Sequence, residues 1–544
     1  MSSASDATAS QPGSAGLGWR PAGDPRGIAR GAWLVFAILC LGHLLDSFDR
    51  WLVPAVLGPL SQDLGLSDTQ AGGLATDLLI GYAVWCPVIG YLADRFGRPR
   101  LLAVGLALWS LATVGTGLAE TAGAIRLARA LVGIGGASFG VVGLTMLMDL
   151  FPRGVRSRVA AAFYAAFPLG AAAAWNLGPL IARGASWQSA FLLAGAPGFL
   201  LALVALLVPE KVRGASEGIE EVRLRLHEQI GPSREDYLDL MVNSSYTYSV
   251  FGLAFTMFAI AGLVSWLPTY FIVERQLSYE QVGRWLGVTL PAAMLLGIVG
   301  GGWCADQLAR VHPRAWFLVP AAALLGAIPV LLGGLFTSDD RLSKLGLSLA
   351  IALMFSIVGP CLAVVANVVM PNMRGVAYAG VLAASHLLGD LWSPTLMGWV
   401  AHNFGQPDMM ATPLGQALAA IGAVPQAQPG YDPQNLAAAL LTAVPALLIA
   451  GIVLLAGTRH LPRELALMLA KLRAQPTRLL AARATSAPRR PAPPTPPPTT
   501  ASADAAATSP PTPTHHQTAR PPLPSGDQNP DPIPTPNQLE EPRP

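Results

Sequence analysis

Apolar residues in this chain come in long runs separated by short polar gaps, from about residue 32 to residue 457. A run of ~20 mostly apolar residues is what a helix needs to cross the hydrocarbon core of a bilayer. Twelve runs of about that length occur, at roughly 32–57, 70–93, 101–119, 123–148, 159–181, 187–208, 248–272, 283–305, 315–336, 345–369, 376–401 and 436–457. Gly and Pro interrupt several of them. Helices in lipid tolerate this where neighbouring helices satisfy the freed backbone groups. The pattern predicts an all-α membrane protein with twelve transmembrane helices.

The polar gaps set the expected orientation. Arg95, Arg98 and Arg100 follow the second run, Arg153, Arg156 and Arg158 the fourth, Arg310 and Arg314 the eighth, and Arg374 the tenth, whereas 58–69 and 402–435 contain no Lys or Arg. Arg183, Arg275, Arg341 and Lys344 run against this bias without reversing it. Positive residues concentrate on the cytoplasmic side, so the expected protein is a multi-pass one of the inner (cytoplasmic) membrane with both termini inside. A long gap of mixed charge, 209–247, separates six runs from six and reads as a cytoplasmic linker between two bundles, 32–208 and 248–457. Residues 1–31 are polar and expected to be disordered, without a cleavable signal peptide. In 458–486, arginines spaced among Leu and Ala suggest an amphipathic juxtamembrane helix on an anionic leaflet. The Pro-, Thr- and Ala-rich stretch 487–544 buries too little apolar area to fold and is expected to be a disordered tail.

Composition narrows the function. Hydrophobic residues make up 52% and charged residues 12% of the chain, against about 25% charged in soluble domains. The net charge of +3, with no aromatic-plus-basic stripe, argues against nucleic acid as a partner. Cys40, Cys86, Cys304 and Cys361 all lie inside apolar runs, without metal-ligand spacing. No phosphate-binding loop of the form GxxxxGK[ST], zinc-protease HExxH or catalytic triad stands out. The expectation is a protein that is not an enzyme and carries no cofactor or metal.

The two halves repeat each other. Ser67-x-x-Gln70-x-Gly72 opens the second run and Ser278-x-x-Gln281-x-Gly283 the eighth; Gly90-x-x-x-Asp94 closes the second and Gly302-x-x-x-Asp306 the eighth. The offsets are 211 and 212 residues, which points to duplication of a six-helix unit with a substrate site between the copies.

Two groups of residues carry candidate chemistry. The first is Gly90-Tyr-Leu-Ala-Asp94-Arg95-Phe-Gly97-Arg98-Pro-Arg100. Gly90 permits close helix approach. Asp94 stands at a helix C-terminus, where the dipole disfavours a carboxylate, so it needs a cation or another helix's N-terminus. Gly90, Asp94, Arg95, Gly97, Arg98 and the second-half Asp306 are therefore candidate gating residues, with Gln307 in place of the first arginine in the second copy. The second group is the ionisable residues within the apolar runs, which are expensive in lipid and are functional candidates. Asp46, Asp49 and Arg50 lie in the first run, Asp77 in the second, and Arg126 and Arg129 in the fourth. His386 and Asp390 lie four apart on one helix face in the eleventh. The Asp49–Arg50–Arg129 set is expected to line or control a central cavity, and Arg126, near the outer end, to snorkel. A His–carboxylate pair can relay protons or bind a polar headgroup.

The glycine-acidic-arginine loop at 90–100 matches a signature of the major facilitator superfamily, and Arg129-x-x-x-Gly133-x-Gly135 resembles a second one. The chain further resembles the Spinster-like branch of that superfamily over most of 40–210 and parts of 250–400. The resemblance rests on FDR at Phe48–Arg50, RALVGIGGAS at Arg129–Ser138, DLFPRGVRSR at Asp149–Arg158, WLPTYF at Trp266–Phe271, and HLLGD-x-x-SP at His386–Pro394. It implies two pseudo-symmetric six-helix bundles, the major facilitator fold, in a monomer working by alternating access. It also implies a sphingoid- or lysophospholipid-type substrate, with Arg50 and Arg129 as headgroup ligands and Asp49 as the proton-coupling carboxylate. The branch pattern has Glu where this chain has Gly136, which leaves Asp77 or Asp46 to take such a role. A proton-coupled symporter of small organic anions or sugar phosphates is the rival within transport, and a transporter-fold receptor or scaffold the rival outside it.

Overall fold

A computed structural model describes residues 31–217, 232–426 and 433–472. The N-terminal segment, the Pro-rich tail and parts of the linker and juxtamembrane segment lie outside these. Among the described residues, eleven helices are long and apolar enough to cross a membrane. In chain order, spans 1 to 6 are Ala32–Ala55, Gln70–Arg95, Arg98–Gly117, Ala122–Leu150, Arg153–Gly184 and Trp187–Leu207. Spans 7 to 10 are Ser244–Val273, Glu280–Ala309, Ala315–Phe336 and Asp340–Val368, and span 12 is Leu436–Gly457. Span 11 is segmented. It comprises Arg374–Ala384, a π-helical turn at Ser385–Asp390, and Ser393–Asn403. The wide turn is closed by the Leu391 N–H donating to the His386 carbonyl at 3.0 Å. Pro394 follows directly and supplies no backbone donor to hold a regular ladder.

Local sequence explains the helix starts. Ser67 with Gln70, and Ser278 with Gln281, form reciprocal capping boxes at spans 2 and 8. The repeated Ser-x-x-Gln motif is thus a pair of helix starts. Burial separates inner from outer spans. The most apolar stretch is 89% buried in span 4 and 83% in span 10, against 33% in span 2. Spans 4 and 10 occupy corresponding places in the two halves and are the most enclosed by protein. Leu200, Leu203 and Leu207 of span 6 are exposed, as lipid-facing positions are.

Beyond span 12, helix continues over 461–472. Its apolar face, Leu461, Leu465, Met468 and Leu472, is buried in the protein. The leaflet contact expected for that face is therefore replaced by protein packing in this part of the segment. Glu464 accepts from the Ser244 and Ser245 N–H groups at 2.9 and 2.8 Å, so the segment caps the start of span 7.

Candidate substrate cavity and gates

Between the halves lies a cavity of about 140 Å³. Spans 1, 2, 4 and 5 contribute its polar wall, with His43, Asp46, Arg50, Tyr82 and Tyr164. Spans 7, 8 and 10 contribute an apolar wall that includes Leu253, Met257, Ile298, Phe355 and Leu362. Span 11 adds Ser385, His386 and Asp390 from its π-helical turn, a distortion often found at functional sites.

Helical phase decides which first-span charges reach this cavity. Neighbouring residues on an α-helix point about 100° apart, so Asp49 and Arg50 face different ways. Asp46 and Arg50, one turn apart, line the cavity, with Arg50 Nη2 3.8 Å from Asp46 Oδ2. That separation is too long for a hydrogen bond. Arg50 Nε is buried and has no partner, and the guanidinium lies over the Tyr82 ring at 5.2 Å. A Cβ at Gly136 would sit 2.8 Å from Asp46 Oδ1. The fourth span therefore yields its side-chain space to the carboxylate of the first. His386 Nδ1 and Asp390 Oδ2 are 2.7 Å apart, and the His386 ring meets Tyr82 edge-on at 4.7 Å.

The structure does not bring Asp49, Arg129 or Asp77 to this cavity. Asp49 and Arg129 form a buried pair at 3.2 Å inside the first half, where Trp109 Nε1 also donates to Asp49 at 3.3 Å. Their phase on spans 1 and 4 turns them into the bundle. Asp77 instead binds Arg126 through two bonds of 2.7 and 3.0 Å, with the Arg126 side chain half exposed.

Of the candidate gating residues, Gly90, Asp94 and Asp306 meet the opposite half at the arginine-rich end of the bundle, whereas Arg95, Gly97 and Arg98 pack within the first half. Asp94 accepts from the Gly375 and Val376 N–H groups, both at 2.8 Å. Its partner is thus the N-terminus of span 11, not the arginines that follow it. Arg95 stacks on Tyr91 at 4.6 Å, and Arg98 bonds Asp149. The second half mirrors this. Asp306 accepts from the Arg158 N–H at 2.9 Å near the start of span 5, and from Trp316 Nε1 at 3.0 Å. The second copy, with Gln307 in place of the first arginine, thus also places its carboxylate at a helix start in the other half, where Arg158 Nε lies 3.4 Å from Asp306 Oδ2. Gly97 precedes span 3, whose Arg98 N–H donates to Glu210 at 3.0 Å.

Close approach at the glycines completes the seam. A Cβ at Gly90 would lie 2.5 Å from the Ala379 Cβ and 2.7 Å from the Gly375 carbonyl; at Gly302 it would lie 2.5 Å from the Ala161 Cβ. Gly90→Ala is therefore expected to part the halves at this face. Because overpacking costs ~1–3 kcal/mol, a thiol reagent should label Ser157→Cys in that seam on the order of tenfold faster. Unchanged labelling would show that the seam absorbs the methyl group.

Sequence reasoning missed a strap at the end of the first bundle, 209–217, which read as solvated linker. Glu217 is buried there and bonds Arg153 at 2.5 Å, Arg156 at 2.6 Å and, from the other half, Arg374. Asp149 bonds Arg98, Arg374 at 2.6 Å, and the Gly214 N–H at 2.9 Å. Arg156 reaches across to Asn367 at 2.6 Å. Burial alone would raise the Glu217 carboxyl, but Arg156, Arg153 and Arg374 outweigh it and hold it well below the ordinary carboxylate range.

A family model for the Major Facilitator Superfamily matches residues 39–394. Protein spinster of Drosophila melanogaster is 31% identical over 387 residues, covering 69% of this chain and 62% of the fly protein. The chain belongs to the major facilitator superfamily, among its Spinster proteins. Protein spinster homolog 1 of Mus musculus is 32% identical over 403 residues, covering 69% of this chain and 74% of the mouse protein. The alignment thus leaves out more than a third of the fly Spinster's length. A crystal structure of a bacterial homologue to the human lysosomal transporter Spinster, inward-facing and unoccupied, has the same fold. Its TM-score is 0.56 at 21% identity, over 80% of this chain and 98% of that one. This Spinster relative is a multi-pass membrane transporter, not an enzyme.

Proposed function

We propose that this Spinster relative moves an amphiphile with an anionic headgroup, of lysophospholipid or sphingoid type, by alternating access. The observation that carries the reading is Arg50. Its guanidinium faces the cavity with an unpartnered Nε and an Asp46 contact of 3.8 Å, so its donors are available to a phosphate or carboxylate. The apolar wall opposite suits a hydrocarbon tail. Asp46 and the His386–Asp390 pair are the cavity groups through which proton movement would couple, with Asp46 standing beside Gly136 in place of a fourth-span carboxylate. In this reading the arginine-rich face is cytoplasmic, the protein sits in the inner membrane with both termini inside, and the monomer is the working unit. Gly90, Asp94, Arg95, Gly97, Arg98 and Asp306 belong to the gate on that face.

The test is uptake into proteoliposomes under an imposed pH gradient, comparing a labelled lysophospholipid with a small organic phosphate. Gradient-driven lysolipid movement, with the gradient dependence lost in Asp46→Asn, is the expected result. Movement of the small phosphate alone would establish the organic-anion reading. Movement of neither by folded protein would overturn both and leave a receptor role.

A further inference from the structure

His43 stands on the same face of span 1 as Asp46 and Arg50, at spacings of three and seven residues that align on a helix. It lines the cavity, is 7% exposed, and both its ring nitrogens are buried without a hydrogen-bond partner. Its ring stacks on Phe163 at 4.5 Å and meets Tyr164 edge-on at 5.1 Å. Packing accounts for the ring but not for the nitrogens. A buried polar group without a partner costs ~1–3 kcal/mol, and a phenylalanine would fill the same space without that cost.

We propose that His43 is a substrate ligand that hydrogen-bonds a hydroxyl on the backbone of the transported amphiphile, between headgroup and tail. The inference rests on the amphiphile reading above. The Arg50 side chain turns back toward Asp46, so an anionic headgroup held there lies roughly one helical turn, about 5 Å, from His43. A glycerol or sphingoid backbone extends about that far beyond its phosphate. A neutral imidazole offers one donor and one acceptor nitrogen, and a hydroxyl can serve either. The match therefore holds for both tautomers. An aromatic surround favours this neutral pairing over a charged one. His43 then sets specificity for hydroxyl-bearing amphiphiles, while Arg50 holds the anion.

The experiment measures binding of a 1-acyl lysophospholipid and of its 2-deoxy analogue to the full chain in nanodiscs. Wild type and His43→Phe are compared, the latter keeping the stacked ring and deleting both nitrogens. Wild type is expected to prefer the hydroxyl-bearing ligand on the order of tenfold, the scale of one hydrogen bond to a buried site. His43→Phe should bind both ligands alike, at the affinity wild type has for the deoxy analogue. His43→Gln, which retains a donor and an acceptor, should keep part of the preference. Equal affinities in wild type, or a preference that survives undiminished in His43→Phe or, should that variant fail to fold, in His43→Gln, would overturn the assignment. If wild type binds neither ligand, the amphiphile reading itself falls and this assignment falls with it.

Discussion

Glu217→Ala is expected to unlock the arginine-rich face and to destabilise the protein. The carboxylate is the shared partner of Arg153 and Arg156 from one half and Arg374 from the other. Arg156 and Arg374 have fully buried side chains. Removing one partner from a buried ionic cluster leaves uncompensated charge and costs about 3–5 kcal/mol. Asp149 still holds Arg98 and Arg374, but Arg156 then keeps only polar neutral side chains and backbone carbonyls. Part of the loss should appear as a lower melting temperature. The rest should appear as a shift toward the state open at this face, read as at least tenfold faster thiol labelling of Ser157→Cys in a background without the native cysteines. Wild-type labelling and melting would show that the strap is a passive cover. The pH dependence has a definite sign. The carboxyl is held below its ordinary range, so its stabilisation is present above the usual Glu value of ~4.3 and is lost only as pH falls through the depressed value. The lock should therefore hold unchanged between about pH 5 and 8.

Asp49→Asn is expected to damage the fold of the first bundle more than it damages substrate recognition. Asp49 and Arg129 are 0% and 1% exposed and lie 3.2 Å apart. Asparagine leaves Arg129 charged and buried without its counter-ion, a loss of about 3–5 kcal/mol. The double variant Asp49→Leu with Arg129→Met should recover most of it, because hydrophobic replacement of a whole buried pair is often neutral or stabilising. Thermal unfolding of the singles and the double in one detergent checks this. An Asp49→Asn protein that melts like wild type but has lost gradient-driven uptake would make Asp49 a coupling group instead.

Much of this architecture is readable in the sequence because it follows from local rules. Twelve apolar runs give twelve spans. The Ser-x-x-Gln repeats give two capping boxes, and Gly90 with Asp94 marks a helix end seeking a partner. The phase of the first span was also open to reading. Positions 43, 46 and 50 share a face and position 49 does not, so the FDR motif splits into a buried half and a cavity half. The spacing His43-x-x-Asp46-x-x-x-Arg50 places the histidine on that cavity face as well. Other features depend on distant contacts. Glu217 sits in a charge-rich linker that looks solvated, and only docking onto Arg153, Arg156 and Arg374 buries it. Asp94 finds the start of span 11, 281 residues away. The π-helical turn that presents His386 and Asp390 leaves no periodic mark in so short a stretch.

In the proposed transport cycle Arg50 holds an anionic headgroup in the cavity while Asp49 and Arg129 support the wall behind it. Equilibrium binding of a radiolabelled lysophospholipid to wild type and Arg50→Ala in nanodiscs, with melting temperatures measured on the same samples, tests it most directly. Arg50→Ala is expected to lose at least tenfold in affinity, because a charge-assisted hydrogen bond contributes about 1.5–3 kcal/mol, with little change in melting temperature. Wild-type affinity in a folded Arg50→Ala protein would contradict it.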